Sequence, residues 1–245
     1  MIAVITAGGR VDAAFAATLG TGVKALARIG GRAMLDVAIE AARGTGAERV
    51  LVVGGDEVRA HCADRVDGVL DDAGEGRENV RRAMIAGNAD HLLLLTSDMP
   101  FIDAAALNAF VSAAQGCDVA LPVSSGADYE AAYPGAPPHV TDLGGERIAN
   151  GNVVYFAPGS AQRVLPVAQR LFDARKSLWR MASLLGPALL VRFALRRLRI
   201  EDIERRAREE LGIDARACRN LAPSLCFDVD GDEDYRYAQR RAGNG

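Results

Sequence analysis

Aromatic residues are scarce in this chain. They make up 5% of its 245 residues, whereas hydrophobic residues as a whole make up 49%. The core must therefore be built mainly from Ala, Val, Leu and Ile. A basic excess is lacking too, since the formal net charge is -3. Nucleic-acid-binding surfaces usually carry such an excess, so the charge balance argues against one.

Cysteine patterns typical of zinc sites and of disulfide frameworks are also missing. The chain has no Cys-x-x-Cys pair, and no histidine lies at metal-ligand spacing from a cysteine. The four cysteines are Cys62, Cys117, Cys218 and Cys226. This usage predicts reduced thiols, mostly packed in the core of a cytoplasmic protein.

Targeting and membrane-spanning segments are not apparent either. Residues 1–5 lack a basic start, and their apolar run is too short for a signal peptide. The most apolar later stretch, residues 184–198, is interrupted by Gly186-Pro187 and by arginines. It is too broken to span a bilayer, so we expect no transmembrane segment.

What the first half does contain is an alternation of short apolar runs with helical patterns. Residues 2–5, 50–53 and 92–95 are apolar runs, and residues 34–42 have a mostly helical pattern. Continuous apolar strands alternating with helices are typical of parallel βαβ units. We therefore predict an α/β protein with three α/β/α layers and a mostly parallel, doubly wound sheet, in a single domain over residues 1–245.

The second half has a different pattern. We predict a loop over residues 124–138, then strands over residues 139–143 and 152–156 around Gly144-Gly145. A helix is expected over residues 158–172, and a helical insertion over about residues 173–211, broken at Gly186-Pro187. A last strand over residues 222–229 and a last helix over residues 233–241 complete the prediction.

The loop after the first strand contains Gly8, Gly9 and Arg10, and Lys24 follows it. Glycines directly after a strand let backbone N–H groups approach phosphate oxygens, and a lysine adds a positive charge. However, neither Gly-x-Gly-x-x-Gly nor the P-loop motif is present. The loop taken alone is therefore equally compatible with a plain βα turn.

Acidic residues follow two distant apolar segments. Asp98 comes after the apolar run at residues 92–95 and is followed by Met99-Pro100. Asp228 and Asp230 alternate along the predicted last strand, so their side chains should point to the same face. Carboxylate oxygens suit Mg²⁺. We interpret Asp232, Glu233 and Asp234 as a solvated cap of the last helix.

Taken in order, these motifs resemble those of the molybdenum-cofactor-guanylyltransferase-like NTP transferases. The matching segments are Ala7-Gly8-Gly9, Lys24-Ala25-Leu26, Gly31-Arg32-Ala33-Met34-Leu35, Ser97-Asp98-Met99-Pro100 and Asp228-Val229-Asp230. The resemblance covers most of the chain. It implies the fold of the nucleotide-diphospho-sugar transferases and an Mg²⁺-dependent reaction in which a substrate phosphate attacks the α-phosphorus of an NTP and pyrophosphate leaves.

The resemblance also implies roles for individual residues. Nucleotide binding falls on Ala7, Gly8, Gly9, Gly74, Gly76 and Asn79. Arg10 and Lys24 would act on the triphosphate as catalytic residues. Asp98 and Asp230 would hold Mg²⁺, with Asp228 as a further ligand. Asn150, Gly151 and Asn152 would face the acceptor, a phosphorylated small molecule.

The sequence departs from the family pattern in two places. Arg10 comes early in a loop that is longer and richer in Ala than usual, and Gly231-Asp232 replaces the usual Thr-Pro. Two alternatives therefore stay open. Asp228-Val229-Asp230 could be the metal-binding Asp-x-Asp of a nucleotide-sugar-dependent glycosyltransferase, or the chain could be a nucleotide-binding module without catalysis.

The insertion at residues 173–211 is the least family-like part and is rich in arginine. Lys176, with Arg175 and Arg180, could bind an anionic acceptor. The arginines and apolar residues of 189–199 could contact a membrane surface peripherally. The alternative is a helix that packs its apolar side on the domain while its arginines reach solvent. His61, His91 and His139 are isolated in the sequence, which favours structural roles for them.

Overall fold

The structure is a computed structural model that describes residues 1–174 and 186–243. Its strands are β1 Ile2–Thr6, β2 Arg28–Ile29, β3 Arg32–Ala33, β4 Arg49–Gly54, β5 Gly68–Asp71, β6 Leu92–Thr96, β7 Val119–Ser125, β8 Val140–Leu143, β9 Glu146–Asn150, β10 Val153–Phe156 and β11 Ala215–Cys218. Its helices are α1 Ala13–Leu19, α2 Met34–Arg43, α3 Asp56–Cys62, α4 Gly76–Ala86, α5 Ala104–Ala113, α6 Gly126–Ala132, α7 Ser160–Ala174, α8 Pro187–Ala194, α9 Ile200–Leu211 and α10 Asp232–Gly243.

Most strands form one mixed sheet with the order β5-β4-β1-β6-β10-β7-β9-β8, and β11 pairs with β7. The ladders β4–β5, β1–β4 and β1–β6 are parallel, whereas β10 runs antiparallel to β6 and β7. The order reverses at β1, where the chain passes from β4 on one side to β6 on the other. In open α/β sheets this switch point at the carboxyl edge is where ligands bind.

Successive residues of the central strands pack on opposite faces of the sheet. Ala3 and Ile5 of β1 lie in a large cluster with residues of α2, α5 and α10. Ile2 and Val4 lie in a second cluster with residues of α4 and α7. Both faces are therefore buried, which explains the continuous apolar runs and confirms the predicted three-layer α/β fold.

The structure differs from the sequence prediction in the second half. The predicted loop over residues 124–138 contains α6, because Ser125 caps it by accepting a hydrogen bond from the N–H of Asp128 (3.0 Å). The partner of β8 is β9, not residues 152–156. The predicted last strand at residues 222–229 is wrong. β11 lies earlier, and a 3₁₀ turn over Pro223–Leu225 follows it.

The described part of the predicted insertion contains α8 and α9, but residues 195–199 between them are not helical, so the prediction is wrong there. At the predicted break, Gly186 has a φ of 84° and Pro187 is the first residue of α8, whereas residues 175–185 before it lie outside the described residues. Lys176, Arg175 and Arg180 lie outside the described residues. Within the described ranges, helices with the length and apolar content needed to cross a bilayer are absent.

Candidate active site

Three segments meet at the carboxyl edge of the sheet beside the switch point. β1 and β6 end side by side, with Thr6 opposite Thr96. Asp98 follows β6, and its carbonyl accepts a hydrogen bond from the N–H of Val229 (3.0 Å). Val229 is fully buried. This contact fixes Asp228 and Asp230 beside Asp98, although the segment that carries them is not a strand.

Lys24 lies at the centre of these segments. Its N–H donates to the Gly9 carbonyl (3.0 Å), which draws the residue to the loop after β1. Its Nζ lies 2.7 Å from Asp98 Oδ2 and 3.1 Å from Asp230 Oδ1. Burial alone would lower the pKa of Lys24, but Asp98 and then Asp230 outweigh it and raise that pKa. Lys24 is therefore a fixed ammonium at neutral pH.

The acidic residues form a compact cluster. Oxygen atoms of Asp98, Asp228 and Asp230 all lie within 4.8 Å of one another. Asp98 Oδ1 is buried and has no hydrogen-bond partner among the described residues. Burial raises the pKa of Asp228, and the charges of Asp98 and Asp230 raise it further. Three close carboxylates with one oxygen unsatisfied have the donor chemistry that a hard divalent cation requires.

His139 lies beside this cluster. Its Nδ1 is 3.5 Å from Asp228 Oδ1, and its Nε2 is 3.1 Å from Asp234 Oδ1. Hydrogen bonding with Asp228 and then with Asp234 raises the pKa of His139 to about 9. Sequence reasoning treated His139 as isolated. No local spacing could have shown its partners, since Asp234 is 95 residues away in the chain.

The interpretation of residues 232–234 as a solvated cap is wrong for Asp234, which is buried. These residues do begin α10, but Asp234 is only 7% exposed. Its Oδ2 accepts hydrogen bonds from the N–H groups of Asp230 (3.0 Å) and Gly231 (2.9 Å). Asp234 therefore orders the loop that presents Asp230.

The loop after β1 is held by a second loop, residues 72–74. A Cβ on Gly8 would lie 2.5 Å from Asn79 Nδ2 and 2.6 Å from Asp72 Oδ1. Asn79 is 3% exposed; its Nδ2 donates to Asp72 Oδ1 (2.6 Å) and its Oδ1 accepts from the N–H of Ala73 (2.8 Å). Packing therefore requires glycine at position 8. Asp72 was missed by sequence reasoning, although Asp-x-Gly is a turn signal.

The remaining predicted nucleotide-binding residues lie around the same two loops. Ala7 is buried, and its N–H donates to the Val53 carbonyl (2.8 Å). Gly74 has a φ of 78°, which favours glycine, and Gly76 begins α4. Gly9 has more room than Gly8, since a Cβ there would come no closer than 3.9 Å to Lys24 Cβ.

Arg10 lies apart from the acidic cluster. Its Nη2 is 3.1 Å from Glu57 Oε2, and both side chains are more than half exposed. Exposed ion pairs of this kind contribute about 0–1 kcal/mol, so Arg10 can exchange this partner at little cost.

The predicted acceptor segment connects β9 to β10 close to the end of β6. A Cβ on Gly151 would lie 2.4 Å from Pro122 Cγ and 2.9 Å from the Leu225 carbonyl oxygen, so close packing requires glycine here. The Asn152 carbonyl accepts a hydrogen bond from the N–H of Thr96 (3.4 Å). Asn150, in contrast, is exposed.

A doubly wound sheet with a glycine loop, a half-buried lysine and an acidic cluster at its switch point defines a nucleotide-dependent transferase of the α/β class. The sequence matches the MobA-like NTP transferase domain over residues 3–206. The chain belongs to this family, and its general activity is that of a nucleotidyltransferase.

Solved structures agree with this placement. A hypothetical transferase from Thermus thermophilus is 27% identical with a TM-score of 0.83, over 96% of this chain and 98% of that one. A 2-C-methyl-D-erythritol 4-phosphate cytidylyltransferase, also from Thermus thermophilus, is 17% identical with a TM-score of 0.56, over 98% of each chain. A CMP:2-keto-3-deoxy-manno-octonic acid synthetase complexed with CTP is 14% identical with a TM-score of 0.60, over 99% and 97%. The last two share the fold. No curated protein matches the chain in sequence.

Proposed function

We propose that the protein transfers an NMP group from an NTP to a phosphorylated small molecule, releases pyrophosphate and depends on Mg²⁺. The observation that carries this proposal is the position of Lys24, whose Nζ lies between Asp98 and Asp230 beside the Gly8-Gly9 loop. This places a fixed positive charge next to a cluster of carboxylates at the ligand-binding edge of the sheet. The positive charge suits the oxygens of a triphosphate, and the carboxylates suit a divalent cation.

In the proposed reaction, an oxygen of the acceptor phosphate forms a bond to the α-phosphorus. The bond between the α-phosphorus and the bridging oxygen of pyrophosphate breaks, and the leaving group takes the electron pair. Lys24 offers N–H donors to the triphosphate oxygens on which negative charge develops. Mg²⁺, held by Asp98 and Asp230 with Asp228 as a further ligand, would supply additional positive charge there.

The two loops at the edge would bind the nucleotide. Ala7, Gly8 and Gly9 present the backbone on which the phosphates would lie, and Arg10 would exchange Glu57 for a phosphate oxygen. The base would lie against Gly74 and Gly76. The contribution of Asn79 is indirect, because its hydrogen bonds with Asp72 and Ala73 order the loop.

The acceptor would approach from the opposite side of the cluster. Asn150 is exposed, and the Asn152 carbonyl bonds to Thr96 at the end of β6, which supports an acceptor site at residues 150–152. Lys176 would add a positive charge for an acceptor phosphate.

The first experiment measures pyrophosphate release from each of the four NTPs with Mg²⁺ and a panel of phosphorylated small molecules. One combination should turn over, and Lys24→Ala and Asp98→Ala should each reduce its rate on the order of 100-fold or more, as losses of transition-state charge stabilisation do. Circular dichroism checks that both variants fold. Asp64→Ala removes an exposed carboxylate outside the site and should keep the full rate.

Two results would sink the proposal. The first is full activity in both site variants. The second is consumption of a nucleotide-sugar without pyrophosphate release, which would assign the site to a glycosyltransferase.

A further inference from the structure

The segment from the end of α8 to residue 197 protrudes into solvent. Each of residues 191–197, here called the α8 tip, is exposed. Val191, Phe193 and Leu195 are 57%, 58% and 59% exposed, more than any other large hydrophobic side chain among the described residues. Scattered exposed apolar side chains need no explanation, but three within five residues are typical of an interaction surface.

The backbone holds this tip in one shape. The N–H groups of Leu195, Arg196 and Arg197 donate to the carbonyls of Val191 (3.0 Å), Phe193 (2.9 Å) and Arg192 (2.7 Å). Arg196 has a φ of 53°, a backbone conformation that residues other than glycine seldom adopt.

The chain directly after the tip is anchored in the domain. Leu198 and Ile200 are buried, and Ile200 packs with Val123 and Ile148. The α8 tip is therefore anchored at its C-terminal end, while its apolar side chains are exposed.

The tip is also basic. Residues 187–200 contain four arginines and no acidic residue. Arg192 pairs with Asp202, whose carboxylate is buried. Arg196 and Arg197 form no ion pair among the described residues. A concavity of about 800 Å³ adjoins the tip, and its charged lining has more arginines than acids: Arg192, Arg197, Arg199 and Arg205 against Glu201 and Asp202. The formal net charge of the chain is -3, so this positive charge is a local feature.

We propose that the α8 tip docks the protein reversibly on a bilayer that contains anionic phospholipids. Phe193, Leu195 and Val191 would enter the boundary between headgroups and acyl chains, while Arg196 and Arg197 contact lipid phosphates. A second copy of the chain is a poorer partner. A two-fold contact would bring the tip against itself and place unpaired arginines opposite one another.

Vesicle sedimentation tests this docking with the full-length protein. The protein should bind vesicles of phosphatidylcholine mixed with phosphatidylglycerol, bind pure phosphatidylcholine vesicles much less, and dissociate as salt is raised. Arg196→Gln with Arg197→Gln should lower the partition coefficient on the order of 20-fold, and Phe193→Ser with Leu195→Ser should abolish binding. Every substituted side chain is exposed, so folding should be unaffected.

Matched controls use exposed residues elsewhere on the surface. Ile85 is 48% exposed on α4, and Arg49 is exposed at the start of β4. Ile85→Ser and Arg49→Gln should bind vesicles like the natural protein.

Five results would overturn the proposal. The protein could fail to bind anionic vesicles, or it could bind neutral vesicles equally well. The tip variants could bind like the controls, or soluble glycerol phosphate could displace the vesicles fully, which would show a site for a free phosphate. The fifth result concerns a second copy of the chain as the partner, and light scattering measures it. If the natural protein is a dimer and Phe193→Ser with Leu195→Ser makes it a monomer, the tip is a self-association surface.

Discussion

The ammonium of Lys24 offsets part of the negative charge of the acidic cluster. Its Nζ contacts Asp98 and Asp230, and the side chains of Lys24 and Asp98 are only 17% and 16% exposed. Without the ammonium, Asp98 would be a desolvated carboxylate next to Asp228 and Asp230. A divalent cation bound to the same oxygens would supply the missing charge. Stability and metal binding are therefore linked through this one residue.

Lys24→Met should separate the two effects. In EDTA we expect it to lower the free energy of unfolding by about 2 kcal/mol, because it leaves a buried charge without its partner. Millimolar Mg²⁺ should restore much of that loss. Urea unfolding with and without Mg²⁺ measures both quantities.

The double variant Lys24→Met with Asp98→Asn is the control for that experiment. It removes both charges, so it should be more stable in EDTA than Lys24→Met alone and should gain less from Mg²⁺. If natural protein and Lys24→Met unfold at the same urea concentration in EDTA, the ion pair does not stabilise the fold.

Gly8 and Gly9 should respond differently to alanine. Gly8→Ala places a Cβ 2.5 Å from Asn79 Nδ2, so we expect a loss of about 1–3 kcal/mol in unfolding free energy. Gly9→Ala meets nothing closer than 3.9 Å and should stay within about 0.5 kcal/mol of the natural protein. It should nevertheless weaken NTP binding, because the new methyl group keeps the phosphates from the backbone.

Thermal unfolding measures the loss of stability in each variant, and calorimetric NTP titration measures the loss of NTP affinity in Gly9→Ala. Unchanged NTP affinity in Gly9→Ala would contradict a close approach of the phosphates to the backbone.

The residues of the candidate site differ in how far the sequence reveals them. Asp98, Asp228 and Asp230 could be predicted to share a site from the apolar segments beside them, although the segment that carries Asp228 and Asp230 is not a strand. The contacts of His139 could not be predicted, because Asp234 lies 95 residues away and tertiary packing alone brings the two together. Asp72 and Asp234 also bond to residues near them in sequence, Asn79 and Gly231, and the Asp-x-Gly turn at Asp72 is a local signal of such a contact.

At the level of elements, residues 222–231 show that a pattern of buried residues does not by itself establish a β-strand. Leu225, Cys226 and Phe227 are all buried, so the predicted alternation is present only from Phe227 to Asp230, where the buried Val229 lies between the partly exposed Asp228 and the exposed Asp230. The backbone, however, bonds to single acceptors and donors, such as the Asp98 carbonyl and the N–H of Asn152, and not to a neighbouring strand. An alternating pattern indicates which side chains are buried. A strand also needs a continuous series of backbone hydrogen bonds to a neighbouring strand.

The contact between α2 and the α3–β5 turn makes stability depend on pH. Asp36 Oδ1 lies 2.7 Å from His61 Nε2 and 2.7 Å from Arg65 Nη2. Burial alone would raise the pKa of Asp36, but Arg65 and then His61 outweigh it and lower that pKa. A folded-state pKa below the unfolded value contributes stability above the unfolded pKa, and this stability is lost as the pH falls through the folded pKa.

Asp36→Asn should therefore be about 1 kcal/mol less stable than the natural protein at pH 5, and the difference should shrink towards pH 3. Urea unfolding over that pH range measures it. Asp64→Asn, which changes an exposed acid in the same turn, should show little difference at any pH. A difference for Asp36→Asn that grows as the pH falls would contradict the assignment.

At the scale of the whole molecule, the two ends of the described chain are joined in one core. Ala3 of β1 and Ala238 of α10 belong to the same hydrophobic cluster. The Tyr235 hydroxyl donates to the Arg28 carbonyl (3.2 Å), and the Tyr237 hydroxyl donates to the Pro134 carbonyl (3.3 Å). The candidate site is assembled in the same way, from Lys24 near one end and Asp230 near the other. It cannot form until both ends are in place.

This arrangement predicts a single cooperative unfolding transition, as the single-domain interpretation requires. Calorimetric and van 't Hoff enthalpies should agree, and Mg²⁺ with an NTP should move the whole transition to higher temperature.

Tyr237→Ala should lower the free energy of unfolding by about 3 kcal/mol, because Tyr237 is 8% exposed and lies in the shared core. It should shift the same single transition, because α10 has no separate core to lose. Two transitions, of which Tyr237→Ala moves only one, would show that α10 and the sheet unfold independently and that the site belongs to only one of two units.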